Sequence, residues 1–270
     1  MGELGEGSLA LARNVVFVPD VWQSQEVVEA ENLAGMQGRR RHERAVERGG
    51  SVMWFAPVVM IRNEEYVIGA VLEPLCKVFE HVYVGDTGST DKTCEIARGF
   101  SQVVFQQFGM MRPRDLAQVR WHLAQKARSH GYEWAMMVDG DELYTVEGLR
   151  QIVGQQMQAG KRLGYTVLIS VDRDEKGQFW LMDDKYNRTA VFRTDEPWVG
   201  EYPFEGVKTF WQPETFQYFD GDLHGYNLHR LVRSPMDGDV YMRSEKRLQY
   251  CLADMPQIKR VEKVTVPGLS

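Results

Sequence analysis

Between Trp54 and Val138 the chain alternates short apolar runs with stretches of helical spacing, and that alternation does most to limit its fold. The runs are Trp54–Ile61, His81–Gly85, Val103–Phe105 and Trp134–Val138. Their lengths suit buried strands. Tyr66–Val78, Asp91–Gly99 and Arg114–His130 lie between them, and in the first of these Val67, Ile68, Val71, Leu72 and Leu75 fall on one helical face. Strand and helix repeated in this way argue for a parallel sheet covered on both faces. Pro57 marks a bulge or a late start in the first strand. Pro74 should kink or shorten the first helix.

Three of the four runs end in polar clusters: Asn63-Glu64-Glu65, Asp86 to Asp91, and Asp139 to Glu142. In a right-handed parallel arrangement these ends line one rim, where open α/β sheets bind ligands. Trp134-Ala-Met-Met-Val-Asp-Gly-Asp-Glu142 is the sharpest case. Side chains alternate along a strand, so Asp139 and Asp141 start on opposite faces, and Gly140 lets the backbone turn so that they converge. Convergent carboxylates repel unless a positive charge lies between them, and a hard divalent cation with oxygen ligands answers that need. The plainer reading is a polar turn that ends a strand, a common use of Asp-Gly-Asp.

Formal net charge is −6 over 270 residues, which leaves no basic excess to attract a nucleic acid. A 43% hydrophobic content is enough for one sizeable domain. Cys76, Cys94 and Cys251 are odd in number and widely spaced, and fit neither a zinc site nor a disulfide framework. Met1 to Gly7 is acidic and glycine-rich, unlike a signal peptide, and no apolar run approaches the roughly 20 residues of a membrane helix. A cytoplasmic location is expected. Residues 1–50 read as an appendage. Arg39, Arg40, Arg41, Arg44 and Arg48 read as a solvated helix face there, with peripheral contact to anionic lipid as the sharper reading.

After Leu149 the pattern changes. Val146–Met157 reads as a helix and Gly164–Val171 as a strand, followed by short β-like stretches at Trp180–Met182, Ala190–Arg193, Val207–Trp211 and Phe216–Phe219. Asp237–Ala253 reads as a helix, and residues 256–270 as a peripheral tail. One domain is expected over residues 51–255, with a first half at residues 51–145 and a second at 146–255.

Val58-Val-Met-Ile-Arg-Asn-Glu-Glu65, Val82-Tyr-Val-Gly-Asp-Thr-Gly-Ser-Thr-Asp-Lys-Thr93 and Met137-Val-Asp-Gly-Asp-Glu142, in that order, resemble the family 2 glycosyltransferases. The match is to the subgroup with an Asp-Thr-Gly-Ser-Thr-Asp turn, and covers about Pro57 to Leu149. The resemblance implies an α/β GT-A fold, with a Rossmann-like nucleotide-binding half whose central sheet is mostly parallel, followed by a mixed-sheet acceptor half. It implies a hexosyltransferase that takes a sugar from a nucleotide-sugar donor (UDP-sugar favoured, GDP-sugar the alternative) to an acceptor hydroxyl with inversion. The acceptor class is a glycan, a lipid-linked molecule or a small molecule, and the cofactor is Mn²⁺ or Mg²⁺.

Carried over by position, Asn63, Glu64, Asp86, Thr87, Arg120, Asp139 and Gly140 would surround the nucleotide and its diphosphate. Asp139 and Asp141 match the metal-binding Asp-x-Asp. His224 resembles a later histidine that completes the metal site, with His229 as its alternate. Trp198-Val-Gly200 followed by Phe204-Glu205 resembles a Trp-x-Gly stretch in some relatives, here without a histidine before the glutamate. Inversion needs a carboxylate base on the acceptor side. Glu205 is the first candidate, Glu201 the second, and Asp172 and Asp174 stand behind them. The rival readings are a retaining GT-A enzyme, a nucleotidyltransferase, and a non-catalytic sugar-nucleotide-binding scaffold of the same fold. The nucleotidyltransferase reading lacks the glycine-rich loop it needs after the first strand.

Overall fold

The structure is a computed structural model, and it describes residues 54–159, 163–199, 206–207, 216–218, 225–229, 231 and 260–269. The expected appendage, the helix at Asp237–Ala253, Glu201, Glu205 and His224 lie outside the described residues. β1 (Phe55–Ile61), β2 (Val82–Asp86), β3 (Val103–Gln107) and β4 (Trp134–Asp139) are parallel, in the order β3-β2-β1-β4. The helices between them are α1 (Ile68–Val78), α2 (Thr93–Arg98) and α3 (Leu116–Ser129).

The alternation seen in the sequence becomes a two-sided core. Along β1, Phe55, Val59 and Ile61 face a cluster with Ile68, Val71, Leu72 and Leu75 of α1, while Ala56 and Val58 face Leu123, Ala124 and Ala127 of α3. Along β4, Met136 and Val138 join the first cluster, and Ala135 and Met137 the second. That is the period of two expected of a strand buried on both faces. Pro57 sits inside a central strand without harm because pairing with β2 starts only at Val58↔Tyr83. Pro74 lies within α1, which nonetheless runs on to Val78.

The second half is mixed, as expected. β6 (Leu163–Arg173) and β7 (Phe179–Arg193) form a long antiparallel pair, and β7 runs antiparallel to β4. β5 (Glu142–Tyr144) leads into α4 (Val146–Ala159), and β11 (Gly225–Asn227) lies between β6 and β5. β8 (Trp198–Val199) and β9 (Gly206–Val207) form a small second sheet, and β10 (Phe216–Tyr218) pairs with β6. Two expectations are corrected. Trp180–Met182 and Ala190–Arg193 belong to one strand, because β6 pairs through Lys185–Thr189 and that ladder carries the polar stretch between them. Nor is the end of the chain a peripheral tail. β12 (Arg260–Val264) pairs with β7, and Val266 is buried in the core. No helix among the described residues is long and apolar enough to cross a membrane.

Candidate functional site

The three polar clusters meet at the carboxyl rim of the parallel strands, where the first two are tied together. Asn63 adopts a left-handed backbone with φ 52°. Its Oδ1 accepts the Thr90 N–H at 2.8 Å, and its own N–H donates to Ser89 Oγ at 3.0 Å. The next two residues continue the pattern: the Glu64 N–H donates to Thr93 Oγ1, the Glu65 N–H to Asp91 Oδ2, and Glu65 Oε2 accepts the Lys92 N–H. Asp86 is fully buried. Its carboxylate accepts the N–H groups of Gly88 and Ser89 at 3.0–3.3 Å, which fixes the turn. The Thr87 hydroxyl donates to Ile61 O. Asn63, Asp86 and Thr87, expected beside a nucleotide, thus also build the rim.

Asp139 continues the face of Ala135 and Met137, which is the face covered by α3. On α3, Arg120 lies on the buried side with Leu123, Ala124 and Ala127. The strand and helix periods therefore bring the two charges together, with Arg120 Nη2 2.9 Å from Asp139 Oδ1. The Arg120 side chain is 4% exposed and that of Asp139 26%. An indole closes the other side: the Arg120 guanidinium carbon is 5.7 Å from the Trp198 ring centroid. From below, Glu142 Oε2 accepts the Asp139 N–H at 3.0 Å.

Gly140 falls on the opposite face. Its N–H donates to Met60 O at 3.0 Å, and a β-carbon there would overlap the Glu64 carboxylate. The glycine is thus required by close approach, and it lets a carboxylate from the end of β1 reach the end of β4. Asp141 is buried, and its carbonyl accepts the Leu228 N–H at 2.7 Å. That bond and the pairing of Asn227 with Glu142 bring His229 to the same rim. Asn227 Oδ1 accepts the His229 backbone N–H at 2.9 Å and lies 2.5 Å from its Nδ1.

Nine of the expected site residues therefore share one rim: Asn63, Glu64, Asp86, Thr87, Arg120, Asp139, Gly140, Asp141 and His229. Asn227 and Trp198 join them without having been expected there, and Glu142, expected only as part of its polar cluster, does so through its bond to the Asp139 backbone. Trp198-Val-Gly200 was the signal available for the tryptophan, although sequence alone does not show what its ring faces. Asp174 has another task. It closes the β6–β7 turn by accepting from the backbone of Lys176 and Gln178 and from the indole N–H of Trp180. Burial pushes the thiols of Cys76 and Cys94 up to about 11, so neither offers a thiolate nucleophile at neutral pH.

Among the described residues, no three His, Cys, Asp or Glu side chains form a ready ligand set for a metal. The donor chemistry nevertheless suits a hard cation, because Asp139 and Asp141 present carboxylate oxygens from one turn. His224, the expected third ligand, lies outside the described residues.

No protein-family model matches the chain, and no curated protein matches it. Among solved structures it is similar to S. aureus TarS 1-349 in complex with UDP-GlcNAc, at 16% identity and a TM-score of 0.49, covering 66% of this chain and 59% of that one. It is similar to the glucosyl-3-phosphoglycerate synthase of Mycobacterium tuberculosis in complex with phosphoglyceric acid, at 19% identity and 0.35, covering 42% and 43%. A 4-diphosphocytidyl-2C-methyl-D-erythritol synthase matches at 15% identity and 0.39, covering 52% and 75%. The chain spans about three fifths of the TarS chain, and likenesses this distant carry no argument about chemistry.

Proposed function

We propose that this protein is a glycosyltransferase of the GT-A type. In this reading it moves a hexose from a nucleotide-sugar donor, a UDP-sugar before a GDP-sugar, to an acceptor hydroxyl with inversion. The observation that carries the reading is the convergence of Asn63-Glu64, Asp86-Thr87 and Asp139-Gly-Asp141 on one rim, with a buried arginine set against the first carboxylate of the last cluster. A rim of this kind at the carboxyl ends of parallel strands suits a nucleotide and its diphosphate.

In the reaction proposed, the acceptor oxygen attacks the anomeric carbon and gives its proton to a carboxylate, assigned first to Glu205 and then to Glu201. The bond from that carbon to the phosphate oxygen breaks, and its electron pair leaves on the nucleoside diphosphate. Asp139 and Asp141 would hold Mn²⁺ or Mg²⁺, which when bound supplies Lewis-acid stabilisation to that leaving group. Arg120 keeps Asp139 in place and adds a positive charge beside the diphosphate. His224 and His229 are the histidines assigned to the same site. Asn63, Glu64, Asp86 and Thr87 form the wall on the nucleotide side.

The test is thermal unfolding of the full chain with UDP, GDP and their sugars, with and without Mn²⁺. Binding to the folded state at a hundredfold excess over the dissociation constant adds about 2.7 kcal/mol. The expected result is a rise in midpoint with UDP or one UDP-sugar, dependent on metal and lost in Asp141→Ala. A rise with GDP alone changes the donor. No rise with any nucleotide, in folded protein, overturns the reading in favour of a scaffold that keeps only the fold.

A further inference from the structure

Trp198 stands out because its placement is costly unless its ring has a use. It is 6% exposed, and its indole N–H is buried and finds no acceptor among the described residues. A buried donor without an acceptor is a net cost. Phenylalanine would fill similar space without that cost. What an indole adds is the strongest aromatic face for a cation. Arg120 lies against that face, with its guanidinium carbon 5.7 Å from the ring centroid, within the reach of a cation–π contact. Phe192 of β7 packs against the same indole, at 4.9 Å between centroids and tilted by 59°. Arg120 Nη2 in turn meets Asp139 Oδ1 at 2.9 Å.

We infer that Trp198 is a positioning residue for the Asp139-Gly-Asp141 turn, acting through Arg120. The order of parts is Phe192, Trp198, Arg120, Asp139. The two aromatic rings pack together as one wall beside Arg120. Contact with the indole restricts the rotamers open to the guanidinium and so helps keep Nη2 on the Asp139 carboxylate. Arg120 starts from α3 and Asp139 from the end of β4, so without the wall the long arginine side chain would have other rotamers open to it. Trp198 belongs to the small β8–β9 sheet, which is separate from the parallel sheet. The orientation of the first carboxylate of the site is thereby tied to the half of the molecule that the proposed function assigns to the acceptor. The link to donor binding rests on that proposed function, whereas the link from Trp198 to Asp139 does not.

The experiment measures the Arg120–Asp139 coupling by a double-mutant cycle on urea unfolding, using Arg120→Met and Asp139→Asn. The cycle is run in the natural chain, in Trp198→Leu and in Trp198→Phe. The coupling is expected to fall by more than half in Trp198→Leu and to be restored only in part in Trp198→Phe, whose ring offers a cation a weaker face. A tryptophan that merely fills space lowers stability and leaves the coupling unchanged, and that result overturns the inference. Calorimetry with UDP and Mn²⁺ then reads the same link at the site. Trp198→Leu should weaken UDP binding about tenfold, equivalent to about 1.4 kcal/mol, and have no further effect in Arg120→Met. Equal weakening in both backgrounds counts against the inference. If the natural chain binds neither UDP nor GDP, the proposed function fails, and the unfolding cycle still decides the role of Trp198.

Discussion

At Gly140 the absence of a β-carbon decides whether a carboxylate from the end of β1 can lie against the end of β4. The Glu64 carboxylate occupies the space where a β-carbon would stand. Gly140→Ala must push that carboxylate away, and the move is opposed by the ties that hold the Glu64 backbone to Thr93. The expected cost is about 1–3 kcal/mol, in the range of overpacking a filled site. Gly154 is the control. It lies within α4, and a β-carbon there meets nothing within 4 Å. Gly154→Ala should stabilise by roughly 0.5–1 kcal/mol through helix propensity. Urea midpoints of the two variants should therefore move in opposite directions. A Gly140→Ala protein as stable as its parent would mean that Glu64 swings away freely, and that its approach to Gly140 is not built into the fold.

The loops after β1 and β2 act as one element, because five backbone-to-side-chain bonds join Asn63, Glu64 and Glu65 to Ser89, Thr90, Asp91, Lys92 and Thr93. Asn63 is the pivot, since it supplies both a left-handed backbone and the acceptor for Thr90. This predicts an unusual order among variants. Asn63→Ala loses the acceptor and must also hold φ 52°, which costs a further 1 kcal/mol or so. Asn63→Gly loses only the acceptor. The glycine variant should thus be the more stable of the two, the reverse of the order in an ordinary loop, and thermal unfolding of the pair checks it. The sequence displayed the strands and helices that carry these loops, because burial on both faces writes a continuous apolar run and burial on one face writes a helical stripe. It displayed Asp139, Gly140 and Asp141 as a group, because they are adjacent in the chain. It did not display that Arg120 would meet Asp139, which depends on where α3 lies over β4. Nor did it display Glu142 beneath Asp139, since its part in the site is a hydrogen bond to the backbone and not a motif. The long β7 reads in the sequence as two short stretches because Asp183 to Thr189 is mostly polar, although a β-ladder is held by backbone groups that composition does not reveal.

Across the whole molecule, the last residues bind the two halves together. β4 pairs with β7 near Arg193, and β12 pairs with the same edge of β7 near Phe179, so the chain end extends the edge on which the Asp139 strand lies. Beyond β12 the chain turns onto the opposite half, where Val266 enters the core cluster that includes α1. Gly268, at φ 77°, then passes so close to Ala70 that a β-carbon would come within 2.9 Å of it. These contacts connect β7, the spine of the mixed half, to α1, which follows the Asn63–Glu65 loop. Removing residues 260–270 would expose the β7 edge and open the pocket filled by Val266, so a marked fall in the urea midpoint and self-association through the bare edge are expected. Val266→Ala separates packing from pairing. It keeps β12 and removes two buried methyl groups, for a loss of about 2 kcal/mol with the cavity included. A sharp drop on truncation combined with a small drop for Val266→Ala would place the stabilisation in the ladder. Comparable drops would place it in the core. An unchanged midpoint in both would return this segment to the peripheral tail that its composition suggests, and β7 would then have to tolerate an open edge beside the candidate site.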